Sequence, residues 1–322
     1  MIWPALALEF ASLLTALLGA FTALTLWRAA RHERRAMASH PPQGQIIDVD
    51  GHAVHTKVIG SGPDLVLIHG ASGNMRDFTN GLAEKLALDY RVILLDRPGL
   101  GYSARLGSSG ATITQQADLL HRAARQLGAD RPIVVGQSYG GAVALAWAVT
   151  KPDALSALVP SAAASNPWTT PLSRFYQITS HPLIGPLVIP LLTAWVRDQT
   201  VATALDEVFA PQQHPPGYNE HIGTGLTLRR STLRENALQR ANLLGEITAL
   251  FPRYGQITVP TEIIHGTADT TVSIHIHSEK LVHQIPGATL TALPDIGHMP
   301  HHNAQPAVIA AIHRAATRAG LR

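Results

Sequence analysis

One serine stands between two glycines in Gly136-Gln137-Ser138-Tyr139-Gly140, the single G-x-S-x-G of the chain. Its surroundings carry the signal. Pro132-Ile133-Val134-Val135 leads straight in with the apolar, β-branched character of a buried strand, and Gly140-Gly141-Ala142-Val143-Ala144 leads straight out as a helix of small residues. A strand that turns at once into a helix strains the serine and exposes its hydroxyl. The flanking glycines leave room for the bend, and the first N–H groups of the helix face any negative charge that develops there.

A serine hydroxyl is a weak nucleophile until a base takes its proton. Of 17 histidines, His298 follows the last predicted strand, in Pro294-Asp295-Ile296-Gly297-His298-Met299-Pro300. That places it at a strand's C-terminal end, within reach of the bend. His301 and His302 compete for the role but read as solvated loop residues. The orienting acid is Asp269, which closes His265-Gly266-Thr267-Ala268-Asp269 after another strand. Asp295 is the alternative, and its closeness to His298 suits a turn better. The order Ser138, Asp269, His298 is one that such triads take. For the oxyanion, the backbone N–H groups of Ala71 and Tyr139 are the candidates. His69 reads as a buttress of the Ala71 loop, because one base already serves the serine.

These side chains need a scaffold that brings distant loops together. Short apolar runs at 45–49, 52–58, 64–69, 91–96, 132–136, 155–159, 261–265 and 288–294 read as strands, the first two joined by Asp50-Gly51 as a hairpin. Helical patterns lie at 77–88, 112–127, 139–150, 275–285 and 303–319. Strand and helix alternate, which implies an open α/β sheet. The alternation stops between about 160 and 255, where helical patterns with scattered Pro and Trp suit a cap over the strands' C-terminal ends. The expected organisation is a core of 45–160 and 256–322 with a cap at 161–255.

The first 35 residues differ. Pro4 to Trp27 is long and apolar enough to cross a bilayer as a helix, with Trp3 and Trp27 at its ends and Glu9 as its one charge. No basic residue precedes the run, as an export signal would require, whereas Arg28, Arg31, Arg34 and Arg35 follow it. The expectation is a membrane-anchor helix over 1–35, with the bulk of the chain on the cytoplasmic side. A cleaved export signal and a buried helix are the competing readings. Residues 36–44, with Pro41-Pro42, read as a linker.

Composition removes several classes of function. With no cysteine there is no disulfide, thiol nucleophile, iron–sulfur cluster or cysteine-held zinc. The net charge of +3 comes from 25 basic and 22 acidic residues, and residues beyond 35 hold 21 and 20 of them, so no cationic face for nucleic acid is expected. The pairs His275/His277 and His301/His302 lack a clear third ligand, so neither a metal nor an organic cofactor is expected. The sequence does not define an oligomeric state.

The set HGASGN (69–74), DRPGLGYS (96–103), GQSYGG, HGTADTTV and GHMPH resembles the α/β-hydrolase family, in its form with one helical cap. The resemblance covers about 45–318. It implies a mostly parallel eight-stranded sheet flanked by helices, with Ser138 as nucleophile, Asp269 as acid, His298 as base, and Ala71 with Tyr139 as oxyanion hole. Related dehalogenases and epoxide hydrolases carry aspartate where Ser138 stands. Serine favours acyl transfer from a small-molecule ester through an acyl-enzyme. The apolar run Pro182–Leu192 reads as cap packing, an acyl-binding wall or a membrane-facing lid, and tilts the substrate toward an apolar ester. Carbon–carbon bond cleavage, perhydrolysis on the same triad and a catalytically silent binding module remain as alternatives.

Overall fold

A computed structural model describes residues 3–322, with side chains from Ala7 onward; the interfacial role expected of Trp3 lies outside that description. Eight strands, β1 Gln45–Val49, β2 His52–Ile59, β3 Asp64–Ile68, β4 Arg91–Leu95, β5 Ile133–Gln137, β6 Ala157–Ser161, β7 Glu262–Gly266 and β8 Thr289–Leu293, form one sheet in the order β1-β2-β4-β3-β5-β6-β7-β8. β1 and β2 pair antiparallel, as do β2 and β4, and every later pair is parallel. Asp50 and Gly51 both have positive φ, 50° and 84°, as a two-residue hairpin of matching twist requires.

The inner strands are apolar on both faces because both faces are covered. Val66, Ile68, Ile93 and Val134 point toward α3 (Ile113–Gln126) and α4 (Tyr139–Thr150). Their neighbours Leu65, Leu67, Val92 and Val135 point toward α2 (Leu82–Leu86) and α13 (Gln305–Arg318). α3 begins on a reciprocal cap, in which Thr112 accepts from the Gln115 N–H and the Gln115 side chain accepts from the Thr112 N–H. The helix expected over 77–88 is broken. A single turn at Met75–Asp77 and the short α2 are separated by Gly81, whose φ of +92° no helix accommodates.

Between β6 and β7 lie α5 (Arg174–Ser180), α6 (Gly185–Trp195), α7 (Asp198–Phe209), α8 (Tyr218–Ile222), α9 (Thr224–Thr227) and the long α10 (Arg230–Leu250). α11 (Ser278–Gln284) and α12 (Pro300–Asn303) complete the body. At the other end of the chain α1 runs from Trp3 to Ser39, so it extends into the segment read as a linker. The rest of that segment is tied down. His40 bonds the Glu220 carbonyl at 2.6 Å, and the Pro41 and Gln43 carbonyls accept from Arg76 and His55, each at 2.6 Å. α1 is long and apolar enough to cross a membrane, by length and composition.

Candidate active site

Ser138 joins β5 to α4 with φ 53° and ψ −116°, a conformation that costs an L-residue about 1–3 kcal/mol. The surrounding glycines make it attainable. A Cβ on Gly136 would strike the Gly140 carbonyl, one on Gly140 the Ile68 carbonyl, and one on Gly141 the Ala163 side chain. The bend thus packs backbone against backbone, and the serine N–H is fixed to the Ser161 carbonyl at 2.9 Å.

Asp269 and His298 arrive from the loops after β7 and β8, strands that are neighbours in the sheet although 29 residues separate the two side chains. His298 Nε2 lies 2.9 Å from Ser138 Oγ and its Nδ1 lies 2.7 Å from Asp269 Oδ2. Asp269 Oδ1 accepts the N–H groups of Thr271 and Val272, both at 2.8 Å, and His265 Nε2 lies 3.1 Å from Oδ2. Burial alone would raise the Asp269 carboxyl. The hydrogen bonds from His265, His298 and the Val272 N–H outweigh it and hold the acid well below the usual carboxylate range. It is an anion at neutral pH, suited to stabilise a positive imidazole.

Gly70 lies against Ser138 and Gln137, and Ala71 follows it into the cavity. Among the described residues neither the Ala71 N–H nor the Tyr139 N–H has a partner. His69 holds this loop from below. Its Nε2 accepts the Arg97 N–H at 3.0 Å, so its Nδ1 carries the proton and donates to the Gly70 carbonyl at 2.9 Å. Burial, helped by Arg97, brings His69 down to about 4, so it stays neutral and does not compete as a base. Arg97 donates to the His69 and Gly70 carbonyls and lies over the Tyr139 ring at 4.3 Å.

Asp295, the alternative acid, and the DRPGLGYS loop take structural places. Asp295 is exposed at a turn with φ 58°, its N–H on Thr267 Oγ1. Asp96 of the DRPGLGYS loop is buried and accepts from His55 and the N–H groups of Met75 and Tyr102. His301 and His302 depart from expectation, since both side chains are buried. Their Nε2 atoms lie 3.0 and 2.8 Å from Asp77, whose Oδ1 also accepts the Tyr218 hydroxyl at 2.7 Å. The third ligand that the sequence lacks is thus Asp77, and the three ligand atoms lie within 4.8 Å of one another. Both Nε2 atoms and the Tyr218 hydroxyl already serve Asp77, so both carboxylate oxygens are bonded, while the two Nδ1 atoms have no partner among the described residues. Burial would raise Asp77, but the two imidazoles hold it far below the ordinary range.

A cavity of about 270 Å³ opens over Ser138. Its apolar wall comes from Leu205, Val208 and Phe209 of α7 and from Tyr218 and Ile222 of α8. The run Pro182–Leu192, one candidate for an acyl-binding wall, contributes nothing to it. A second cavity of about 450 Å³ adjoins the first along Ala164, Tyr176, Arg240, Thr271 and Val272. α10 also supports the oxyanion loop, since Asn236 accepts the Ser72 N–H at 2.8 Å and donates to its hydroxyl at 2.9 Å. Asp77, Asn236 and Arg240 carry no sequence signal. They belong to the site only because the chain folds back on it.

A pimeloyl-[acyl-carrier protein] methyl ester esterase of Aliivibrio salmonicida is 28% identical over 260 residues, 79% of this chain and 92% of the relative. A 2-hydroxy-6-oxononadienedioate/2-hydroxy-6-oxononatrienedioate hydrolase of Klebsiella pneumoniae is 27% identical over 253 residues, 76% and 84%. Among solved structures, a bacterial membrane phospholipase A superposes with a TM-score of 0.65 at 20% identity, over 96% of this chain and 97% of that one. The model of the family described as alpha/beta hydrolase fold matches residues 63–305. That stretch is well over half of the chain, it holds the bend, both loops and the cap, and by it this protein belongs to the alpha/beta hydrolase fold family.

Proposed function

We propose that the protein is a serine hydrolase that cleaves a carboxylic ester, with an apolar acyl or alcohol group, through an acyl-enzyme on Ser138. The observation that carries this reading is the unbroken run of contacts Ser138–His298–Asp269, set on a strained bend beneath an apolar cavity. His298 Nε2 takes the Oγ proton as Oγ attacks the carbonyl carbon. The oxyanion accepts the N–H groups of Ala71 and Tyr139. As the tetrahedral adduct collapses, His298 returns the proton to the leaving alkoxide. A water molecule, deprotonated by the same imidazole, then attacks the acyl-enzyme; as the second tetrahedral adduct collapses, His298 returns that proton to Ser138 Oγ and the carboxylic acid leaves. α1 serves as an N-terminal membrane anchor, and the four arginines after its apolar run favour a catalytic body on the cytoplasmic side.

The test is hydrolysis of p-nitrophenyl esters by the full chain, together with fluorophosphonate labelling. Labelling confined to Ser138 and lost in Ser138→Ala supports the reading. An unlabelled serine, or turnover that survives the substitution, sinks it and leaves a binding module.

One observation favours a second reading, carbon–carbon cleavage of a diketone acid on the same triad. Arg240 lines both cavities, lies 5.4 Å over the Tyr176 ring, and meets no carboxylate among the described residues. An unpaired guanidinium suits a substrate carboxylate. Arg240→Gln should then impair turnover of acid-bearing substrates while neutral esters are spared.

A further inference from the structure

The apolar run of the cap that stays out of the cavity shows where it goes. Gly185, Ile189, Thr193 and Ala194 of α6 are buried. On the opposite face Leu187 is 72% exposed, Leu183 in the preceding loop 76%, and Ile184 and Leu191 are exposed as well. Phe175 and Ile178 of α5 and Trp195 at the end of α6 extend the patch. Single exposed leucines need no explanation, but seven exposed large apolar side chains within residues 175–195, across α5, α6 and the loop between them, do.

α1 specifies the neighbour. Trp195 stacks on Phe21 with ring centroids 6.0 Å apart, and its Nε1 donates to Thr25 at 3.1 Å. Arg28 lies over the same indole at 4.1 Å and donates to the Ala194 carbonyl. Further along, Glu33 accepts three hydrogen bonds from Arg230, all 2.8–2.9 Å. The contact with α6 has a definite height on α1. A hydrocarbon layer of ~30 Å takes ~20 helical residues. The apolar run Pro4–Trp27 exceeds that length and ends at Trp27, two residues past Thr25 and six past Phe21. Trp195 therefore sits where the apolar stretch of α1 ends and its arginines begin, the depth at which indoles collect at a membrane surface.

We propose that α5 and α6 form a second membrane contact, embedded in the same leaflet that α1 leaves, so that the cap and not only the anchor rests in lipid. This rests on reading α1 as a membrane span. Tyr176 of α5 lines both cavities while Phe175 and Ile178 of the same helix face outward. α5 is then the wall between the bilayer and the catalytic cavity, and the substrate class is an ester dissolved in lipid that enters past this helix. The partner is a bilayer and not a second copy of the chain, because the patch is continuous with the lipid-facing residues of α1 through the Phe21–Trp195 stack.

The chain lacks cysteine, so a single introduced thiol is a unique labelling site. Leu14→Cys, Leu187→Cys and, as a control on the body, Leu88→Cys would be nitroxide-labelled in the full chain. Each would be reconstituted in phosphatidylcholine–phosphatidylglycerol vesicles, with collision rates to oxygen and to a water-soluble nickel chelate read by electron paramagnetic resonance. The labels at 14 and 187 should collide readily with oxygen and little with the chelate, while the label at 88 does the reverse. Chelate access at 187 equal to that at 88, with 14 still shielded, overturns the proposal and leaves the anchor intact. Access at both 14 and 187 removes the anchor reading and the proposal with it. Spin–spin broadening at 187 that disappears on dilution with unlabelled protein would assign the patch to a second copy and overturn it too.

Discussion

Two groups of one aspartate and two histidines border the same cavity, and they are built in opposite senses. Asp269 is bonded by His265 and His298, and Asp77 by His301 and His302. Both acids are buried and both are held well below the usual carboxylate range by their imidazoles. The difference lies in which ring nitrogen faces the acid. His298 meets Asp269 through Nδ1, which leaves Nε2 free to reach Ser138 at 2.9 Å. His301 and His302 meet Asp77 through Nε2, and their Nδ1 atoms have no partner among the described residues. The one hydroxyl at that cluster, on Tyr218, points its proton at the carboxylate, and burial together with Asp77 pushes its ionisation well above the ordinary value. An acid beside an imidazole is therefore no sign of catalysis. The free nitrogen must aim at a hydroxyl that can leave its proton behind.

This contrast can be broken by experiment. Ser138→Ala should lower kcat on p-nitrophenyl esters by about 10⁶-fold without loss of Tm. Asp269→Asn should lower it by about 10⁴-fold, because the amide no longer stabilises the imidazolium. If Asp77→Asn in folded protein cost as much, the two clusters would not differ in kind; the expected change is under about tenfold, since Asp77 touches neither the serine nor the base. The cost of Asp77→Ala should appear instead in urea unfolding, as a loss of about 3–5 kcal/mol from a buried charge network stripped of its anion.

Acid unfolding sharpens the comparison. His69 and His277 are buried and brought down to about 4, by burial and, respectively, by Arg97 and His265. Protonation between 6.5 and 4 favours the unfolded chain, so stability is complete above 6.5 and falls as pH drops toward 4, by about 3 kcal/mol for each group. The two aspartates have depressed values, so their contribution holds above the ordinary carboxylate value and is lost only below it. Urea midpoints that stay level from pH 7 to 4.5 would contradict the histidine assignment. The smallest effect belongs to Tyr218→Phe, which removes one of three donors to Asp77. We expect about 1–2 kcal/mol of stability lost and ester turnover unchanged.

The strands were legible to within two residues because a sheet covered on both faces demands apolar runs, and β3, β4 and β5 are such runs apart from Asp64, Arg91 and Gln137 at their ends. The bend at Ser138 was legible because Gly136 and Gly140 stand where any side chain would meet backbone. The helix expected over 77–88 is broken, and α1 takes residues 36–39 of the segment read as a linker. Their outcome turns on Gly81 at positive φ and on the bonds of His40, Pro41 and Gln43 to residues far along the chain. Local pattern holds no record of such partners.

Residue types and spacing by themselves determined the α/β order, the strained serine, and two strand-end loops able to deliver an imidazole and a carboxylate, because each depends on backbone preference or on periodicity over a few neighbours. Which histidine nitrogen faces which acid, which cap helices wall the cavity, and that Trp195 docks on Phe21 were decided only in the folded chain. Those are contacts between segments tens to hundreds of residues apart, and packing selects them only after the sheet has set the distances.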